Sequence, residues 1–231
     1  MSLYAIGDLH LSFGTDKPMD IFKGWDNHVE KLERNWNETV SDEDTVVVVG
    51  DVSWAMKLEH AYKDFEFINN RLKGKKIFLK GNHDYWWSTA TKMNKFLDDS
   101  GFDKISILSN NSYLVSGVSV CGTRGWINDT TEAADVKLLN REASRLDLSI
   151  QEGIKLGGEL IAFIHYPPVF SNEKNYYILE ILQKYGIKKC YYGHIHGRAG
   201  FELAKQGSVD GIEYTLISAD YVDFTPKLIK K

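Results

Sequence analysis

The sequence predicts an α/β chain with a mixed sheet system. Three observations lead there. Short apolar runs alternate with helical patterns in the first hundred residues, a cluster of short strands with polar turns fills the middle, and alternation returns toward the C-terminus.

Leu3–Gly7 reads as a strand, and Asp26–Val40 as a helix. Thr45–Gly50 holds four consecutive valines, the mark of a strand buried on both faces. In 58–72 the apolar residues Leu58, Ala61, Tyr62, Phe65, Ile68 and Leu72 recur at helical spacing. Lys76–Lys80 is the next strand and Ser88–Leu97 the next helix, with Ser88 or Thr89 as N-cap. Ile105–Leu108, Ser112–Val115 and Val118–Gly122 are short strands separated by Asn110-Asn111 and Ser116-Gly117, which predicts antiparallel pairing. Glu132–Leu148 is expected to be helical. Strands follow at Glu159–Ile164, Lys189–Tyr192 and Ile212–Ser218, with Glu173–Lys184 helical between the first two.

Length and composition bound the function. The 231 residues suit one globular domain spanning 1–231, with no linker or repeat dividing them. The 28 basic against 32 acidic residues give a net charge of -4, which argues against a general electrostatic grip on nucleic acid. The longest apolar runs, such as Val46–Val49 and Leu160–Ile164, are far short of the ~20 residues that span a bilayer, so no membrane partner is expected. No secretory signal opens the chain, and only two cysteines occur, Cys121 and Cys190; both facts fit a reducing, cytoplasmic setting.

Five of the seven histidines fall in polar clusters, each just after an apolar run. Asp8 and His10 follow the first strand, Asp51 the second, and Asn82, His83 and Asp84 the third. His165 follows Leu160–Ile164, and His194 and His196 follow Tyr191–Gly193. If these strands are mostly parallel, all five ends lie on one sheet edge, where open α/β sheets place ligands. A glycine precedes four of the clusters, Gly7, Gly50, Gly81 and Gly193, which allows unusual φ and close approach. In extended chain, Asp8 with His10 and His194 with His196 would face the same way.

Imidazole with carboxylate suits Mn, Fe, Zn, Co or Ni better than Mg or Ca. Seven donors exceed one tetrahedral ion, so two ions sharing a carboxylate fit the count. Two divalent ions bring four positive charges and Asp8 and Asp51 remove two, which favours an anionic substrate. Ions ~3.5–4 Å apart can hold both the attacking and the leaving oxygen of a displacement at phosphorus.

Asp8-Leu9-His10, Gly50-Asp51, Gly81-Asn82-His83-Asp84, His165-Tyr166-Pro167-Pro168 and Gly193-His194-Ile195-His196-Gly197 stand in the order of the calcineurin-like metallophosphoesterases, which this chain resembles over residues 8–197. The stretch from Gly50-Asp51-Val52-Ser53-Trp54 to Tyr85-Trp86-Trp87 is similar to an uncharacterised bacterial branch of that family. The resemblance implies two facing mixed sheets flanked by helices, a four-layer α/β/β/α sandwich. It implies that Asp8, His10 and His196 hold one ion, that Asp51 bridges, and that Asn82, His165 and His194 hold the other. His83 would contact the phosphoryl oxygen or protonate the leaving group, and the nucleophile would be a hydroxide bridging the ions. Asp84 would orient His83 or cap the following helix. The implied activity is hydrolysis of a phosphate ester on a small molecule, a nucleotide among the candidates; a nucleotide phosphodiesterase or nuclease is the alternative. A scaffold that had lost catalysis would lack ligands, and none is missing. One departure stands out: many members carry an acidic residue three positions after the bridging Asp, and here that position is Trp54.

Trp54 and Trp126 are the candidates for an aromatic wall around a leaving group, whereas Tyr85, Trp86, Trp87 and Tyr166 are expected mainly in packing. Arg124 is a candidate for a second phosphate. His28, His60, Lys73–Lys76 and Lys227–Lys231 are expected on solvated faces.

Overall fold

A computed structural model describes residues 1–127 and 133–231. The chain begins with the strand β1 (Leu3–Ile6), the helix α1 (His28–Thr39) and β2 (Thr45–Val48). A short 3-10 turn leads into α2 (Tyr62–Arg71), and β3 (Lys75–Phe78), α3 (Ala90–Ser100) and β4 (Ile105–Ile107) follow. The strands order β1-β2-β3-β4, all parallel, and β13 (Lys227–Lys230) pairs antiparallel with β1. The C-terminal lysines are therefore an edge strand with exposed side chains, a charged edge that resists further pairing.

The second sheet is built from β5 (Tyr113–Val115), β6 (Val118–Thr123), β7 (Glu159–Ile164), β10 (Lys189–Tyr192), β11 (Gly207–Val209) and β12 (Ile212–Leu216), in the order β11-β12-β10-β7-β6-β5. Its four central strands are parallel. The long α4 (Ala133–Leu156), α5 (Tyr176–Lys184) and the short α6 (Gly197–Leu203) belong to this half, with a two-stranded β8 (Val169–Phe170) and β9 (Glu173–Lys174). The sequence places the start of α4 at Glu132, outside the described residues, and its end eight residues early.

Period-two alternation sorts the apolar residues into layers. Ala5, Val47, Val49 and Ile77 of the first sheet face Val118, Val120, Ile161 and Phe163 of the second. Ile6, Val46, Val48 and Phe78 face outward, onto Leu32, Trp36, Phe65, Ile68 and Leu97 of α1–α3. Ala162, Ile164, Cys190 and Tyr192 likewise meet Leu146, Ile150, Ile178 and Leu182 of α4 and α5. The result is the four-layer α/β/β/α arrangement. Thr89 caps α3 by accepting from Lys92 N at 3.3 Å.

The expected antiparallel trio in the middle holds only for β5 and β6. β4 instead lies parallel to β3 in the first sheet, so the turn at Asn110-Asn111 carries the chain from one sheet to the other. Polar turn residues mark a reversal but do not say which sheet receives the next strand. Glu173-Lys174 is a strand rather than the start of α5, whose N-cap is Asn175, accepting from Ile178 N at 3.2 Å. His28 and Lys76 are buried, not solvated. His28 packs against Trp25 and Phe224, and the Lys76 ammonium reaches the Leu72 carbonyl at the end of α2.

Candidate metal centre

The two sheets meet at the C-terminal ends of their strands. Gly7 N donates to Ile217 O at 2.7 Å and Ala219 N to Gly7 O at 3.0 Å, joining the end of β1 to the end of β12. The ends of β1, β2, β3, β7 and β10 therefore open onto one edge, and all seven expected donors converge there.

The loops are pinned by their own backbones. Asp8 N donates to Gly50 O and His10 N to Asp51 O, both at 2.9 Å, so the chain after β1 runs beside the chain after β2. Asp8, His10, Asp51 and His194 all sit at positive φ, at 61°, 47°, 50° and 71°. Left-handed backbone at non-glycine residues persists only where the surroundings impose it, and it clusters at functional sites. The convergence of Asp8 with His10 thus comes from turns, not from the extended alternation expected of the sequence. Two glycines are needed for room: a Cβ at Gly81 would lie 2.1 Å from Asp51 Oδ1, and one at Gly193 2.5 Å from Asp8 Oδ2.

Asp8, His10 and His196 can present one ligand atom each within 4.8 Å of one another, and so can Asp8, Asp51 and His165. His196 Nε2 is 3.6 Å from Asp8 Oδ1, His10 Nε2 3.8 Å from Asp51 Oδ2, and His165 Nε2 3.6 Å from Asp51 Oδ2. Asn82 Oδ1 lies 2.6 Å from His165 Nε2 and 2.9 Å from His194 Nδ1. Asp51 thus stands between the His10 side and the Asn82–His165–His194 side.

These residues fit a pair of cations. Asp8 and Asp51 are buried carboxylates that no lysine or arginine neutralises among the described residues. His196 compensates Asp8, but Asp51 has no cationic partner among the described residues, and unpaired charge at that depth is costly. In the metal-free chain, burial and the neighbouring Asp8 push the Asp51 carboxyl up to about 8. Burial resists charge on His196, yet its bond to Asp220 and the nearby Asp8 carboxylate outweigh that and hold the ring up to about 10. Burial pushes His10, His165 and His194 down, leaving neutral imidazoles suited to ligation. The donors are the nitrogen and oxygen types that Mn, Fe, Zn, Co and Ni accept.

Asp220 is a site residue that the sequence reading misses. Its Oδ1 is 2.8 Å from His196 Nδ1, and its Oδ2 accepts from Gly197 N at 3.1 Å. It follows β12, so the same pattern of a polar residue just past an apolar run points to it. A carboxylate behind a ligand imidazole fixes the ring and raises its basicity.

Asp84 neither bonds to His83 nor caps α3. Its Oδ2 accepts from Asp51 N at 2.9 Å and Gly81 N at 2.7 Å; its Oδ1 accepts from Val52 N at 2.9 Å and Trp86 Nε1 at 3.0 Å. It ties the loop after β2 to the loop after β3. Burial and nearby Asp51 push its carboxyl up to about 7, against those N–H groups. Asp64 of α2 does similar work farther from the centre, accepting from Ser53 Oγ and from Phe13 N.

His83 is half-buried, and its backbone N–H donates to Asp51 Oδ1 at 2.8 Å. Its ring packs against Trp54 with centroids 4.4 Å apart, and its buried Nδ1 has no partner among the described residues. Trp54 also stacks on His10 at 4.9 Å. A cavity of about 420 Å³ is lined by His10, Trp25, Trp54, His83 and His196. The companion of Trp54 is therefore Trp25, a loop residue with no spacing signal. Trp126 lines a separate, smaller cavity with Tyr166, Ile195 and the donor His194, and its Nε1 donates to Asp135. Trp86 is core, and Tyr85 is exposed. Arg124 is largely buried and stacks on Trp126.

Residues 1–198 match the family model of the calcineurin-like phosphoesterases, and the chain belongs to that family. It is a phosphoesterase of the metal-dependent kind by family and by the chemistry of its clustered donors. Nothing among the curated proteins matches the chain. Solved structures that share its fold include two of unlike sequence. One is TT1561 of Thermus thermophilus, 11% identical, with a TM-score of 0.59, covering 99% of this chain and 97% of its own. The other is AQ665 from Aquifex aeolicus, described as a protein of unknown function, 18% identical, with a TM-score of 0.52, covering 98% and 95%. Among the described residues no helix is long and apolar enough to cross a membrane.

Proposed function

We propose that the chain, acting as one domain, hydrolyses a phosphate ester with two divalent transition-metal ions. The observation that carries this is the pair of buried carboxylates, Asp8 and Asp51, ringed by His10, His165 and His196, with Asn82 and His194 behind. Asp8, His10 and His196 would hold one ion, Asn82, His165 and His194 the other, and Asp51 both. When bound, the ions supply Lewis acidity at the phosphoryl oxygens and an activated water.

The remaining work falls to the chain. Asp84 and the Gly81 and Gly193 approaches keep Asp8 and Asp51 in register. Asp220 sets the His196 ring. His83 has an indole rather than a carboxylate at its side, so it would act through an imidazole N–H donated to the phosphoryl or leaving oxygen. The Trp25–Trp54 cavity is apolar and beside His10 and His83, which suits a flat organic leaving group. Both cysteine thiols are buried and burial pushes them up, consistent with inert side chains in a reducing cytoplasm.

The test is reconstitution. Protein stripped of metal and restored separately with Mn, Fe, Zn, Co or Ni is assayed on aryl phosphate monoesters and diesters. Metal-dependent turnover of one ester class supports the proposal and ranks monoesterase against diesterase; no turnover of either with any ion refutes it.

A further inference from the structure

A second cavity, also about 420 Å³, lies beside the metal centre. Its walls come from the segments just after β3 and β4, the end of β6, the approach to α3 and its first residue, and one face of α4. Lys80, Arg124 and Arg145 line it, with Ser88, Thr89 and Ala90 at the helix start. It shares structure with the metal centre: Lys80 lies two residues before Asn82, and the carbonyls of Thr123 and Arg124 accept from His165 N at 3.3 Å and Tyr166 N at 2.9 Å.

The charge does not cancel. The sole acid on the lining, among the described residues, is Glu142, fully buried. It accepts from Thr123 Oγ1 at 2.7 Å and from Arg145 Nη1 at 3.0 Å, and lies 3.5 Å from Arg124 Nη2. Three lining cations thus face one carboxylate. The Arg124 guanidinium is held over Trp126, 4.6 Å from the ring centroid, and its buried Nε has no partner among the described residues. Guanidinium groups fork onto phosphate oxygens, and the first N–H groups of a helix add a partial positive charge.

We infer that this cavity binds a phosphate-type oxyanion separate from the group at the metals. Two sources share that chemistry. One is a second, non-reacting phosphoryl group on the substrate, which rests on the proposed hydrolysis; the other is free phosphate.

The test uses the full chain and the variants Arg145→Gln, Arg145→Lys and Lys80→Gln. Inorganic phosphate is titrated by calorimetry into chelator-treated protein whose circular dichroism matches the untreated chain. Wild type is expected to bind one phosphate, Arg145→Gln and Lys80→Gln to bind about tenfold or more weakly, and Arg145→Lys to recover part of the loss. In parallel, kcat/KM of the metal-loaded protein is compared for a bisphosphorylated and a monophosphorylated ester. A tenfold or larger fall in that ratio in Arg145→Gln assigns the cavity to the substrate. Weaker phosphate binding with an unmoved ratio assigns it to free phosphate. If phosphate binding and the ratio are both unchanged in Arg145→Gln and Lys80→Gln, the inference is overturned. Arginine-dependent phosphate binding in a protein that hydrolyses neither ester would overturn the proposed hydrolysis and leave the cavity assigned.

Discussion

Replacing Lys76 by Met should stabilise the protein at neutral pH and flatten its pH dependence. Lys76 lies on β3 with its side chain fully buried, and among the described residues its ammonium finds only the Leu72 carbonyl. Burial, reinforced by Lys104, lowers its pKa from 10.5 to about 7. The unfolded chain therefore binds the more protons between about 7 and 10.5, and stability rises with pH across that window. The whole gap is worth about 5 kcal/mol, of which about 4 kcal/mol is still opposed to folding at pH 7. Methionine keeps the length of the stem but loses the bond to Leu72, a loss of about 1 kcal/mol. Lys76→Met should then be more stable by about 3 kcal/mol at pH 7. Wild type should gain about 2 kcal/mol relative to the variant between pH 7 and pH 9. Urea unfolding of both proteins at pH 7, 8 and 9 measures this, and taking the difference cancels groups that titrate in common. A variant less stable than wild type at pH 7, or a difference that does not shrink as pH rises, would show that the buried ammonium does not oppose folding.

Other substitutions test the site. Asp84→Asn puts an amide where five N–H groups converge, two on one oxygen and three on the other, so at least two donors lose their acceptor. Unfolding free energy should fall by about 2–4 kcal/mol, with metal content falling as well; a stable variant with full metal would show that the carboxylate does not hold the two loops together. Asp220→Asn should weaken the ion next to His196 by about 10–100-fold while largely sparing the other, as read by competition with a chelator. His83→Ala should reduce turnover of an aryl phosphate by about 100-fold or more with metal content near wild type; parallel loss of metal would make His83 a ligand.

Much of this arrangement is legible from the sequence because its chemistry is local. A strand that is apolar on both faces announces itself as four valines, and a donor just past it must sit at the strand's end. Five such ends, on strands that prove parallel within each sheet, place the donors on one edge. What escapes is set by contacts between distant segments. Nothing near Asp84 says that its carboxylate will meet the backbone of residues 51 and 52. Nothing near Trp25 says that it will join Trp54 at His10. Lys76 sits in a lysine-rich stretch that looks solvated, yet strand alternation turns that one side chain inward. The turn at Asn110-Asn111 signals reversal, but its destination depends on the first sheet having a free edge beside β3. Asp220 escapes for a lesser reason, since it follows β12 as the other donors follow their strands.

In the proposed centre one set of seven donors holds two ions through a shared Asp51. Metal content per chain, measured on purified wild type and on Asp51→Asn after equal exposure to each ion, tests it most directly. Two ions are expected in wild type, with both lost together in the variant. A single ion in wild type, or one ion kept at full occupancy in Asp51→Asn, would contradict it.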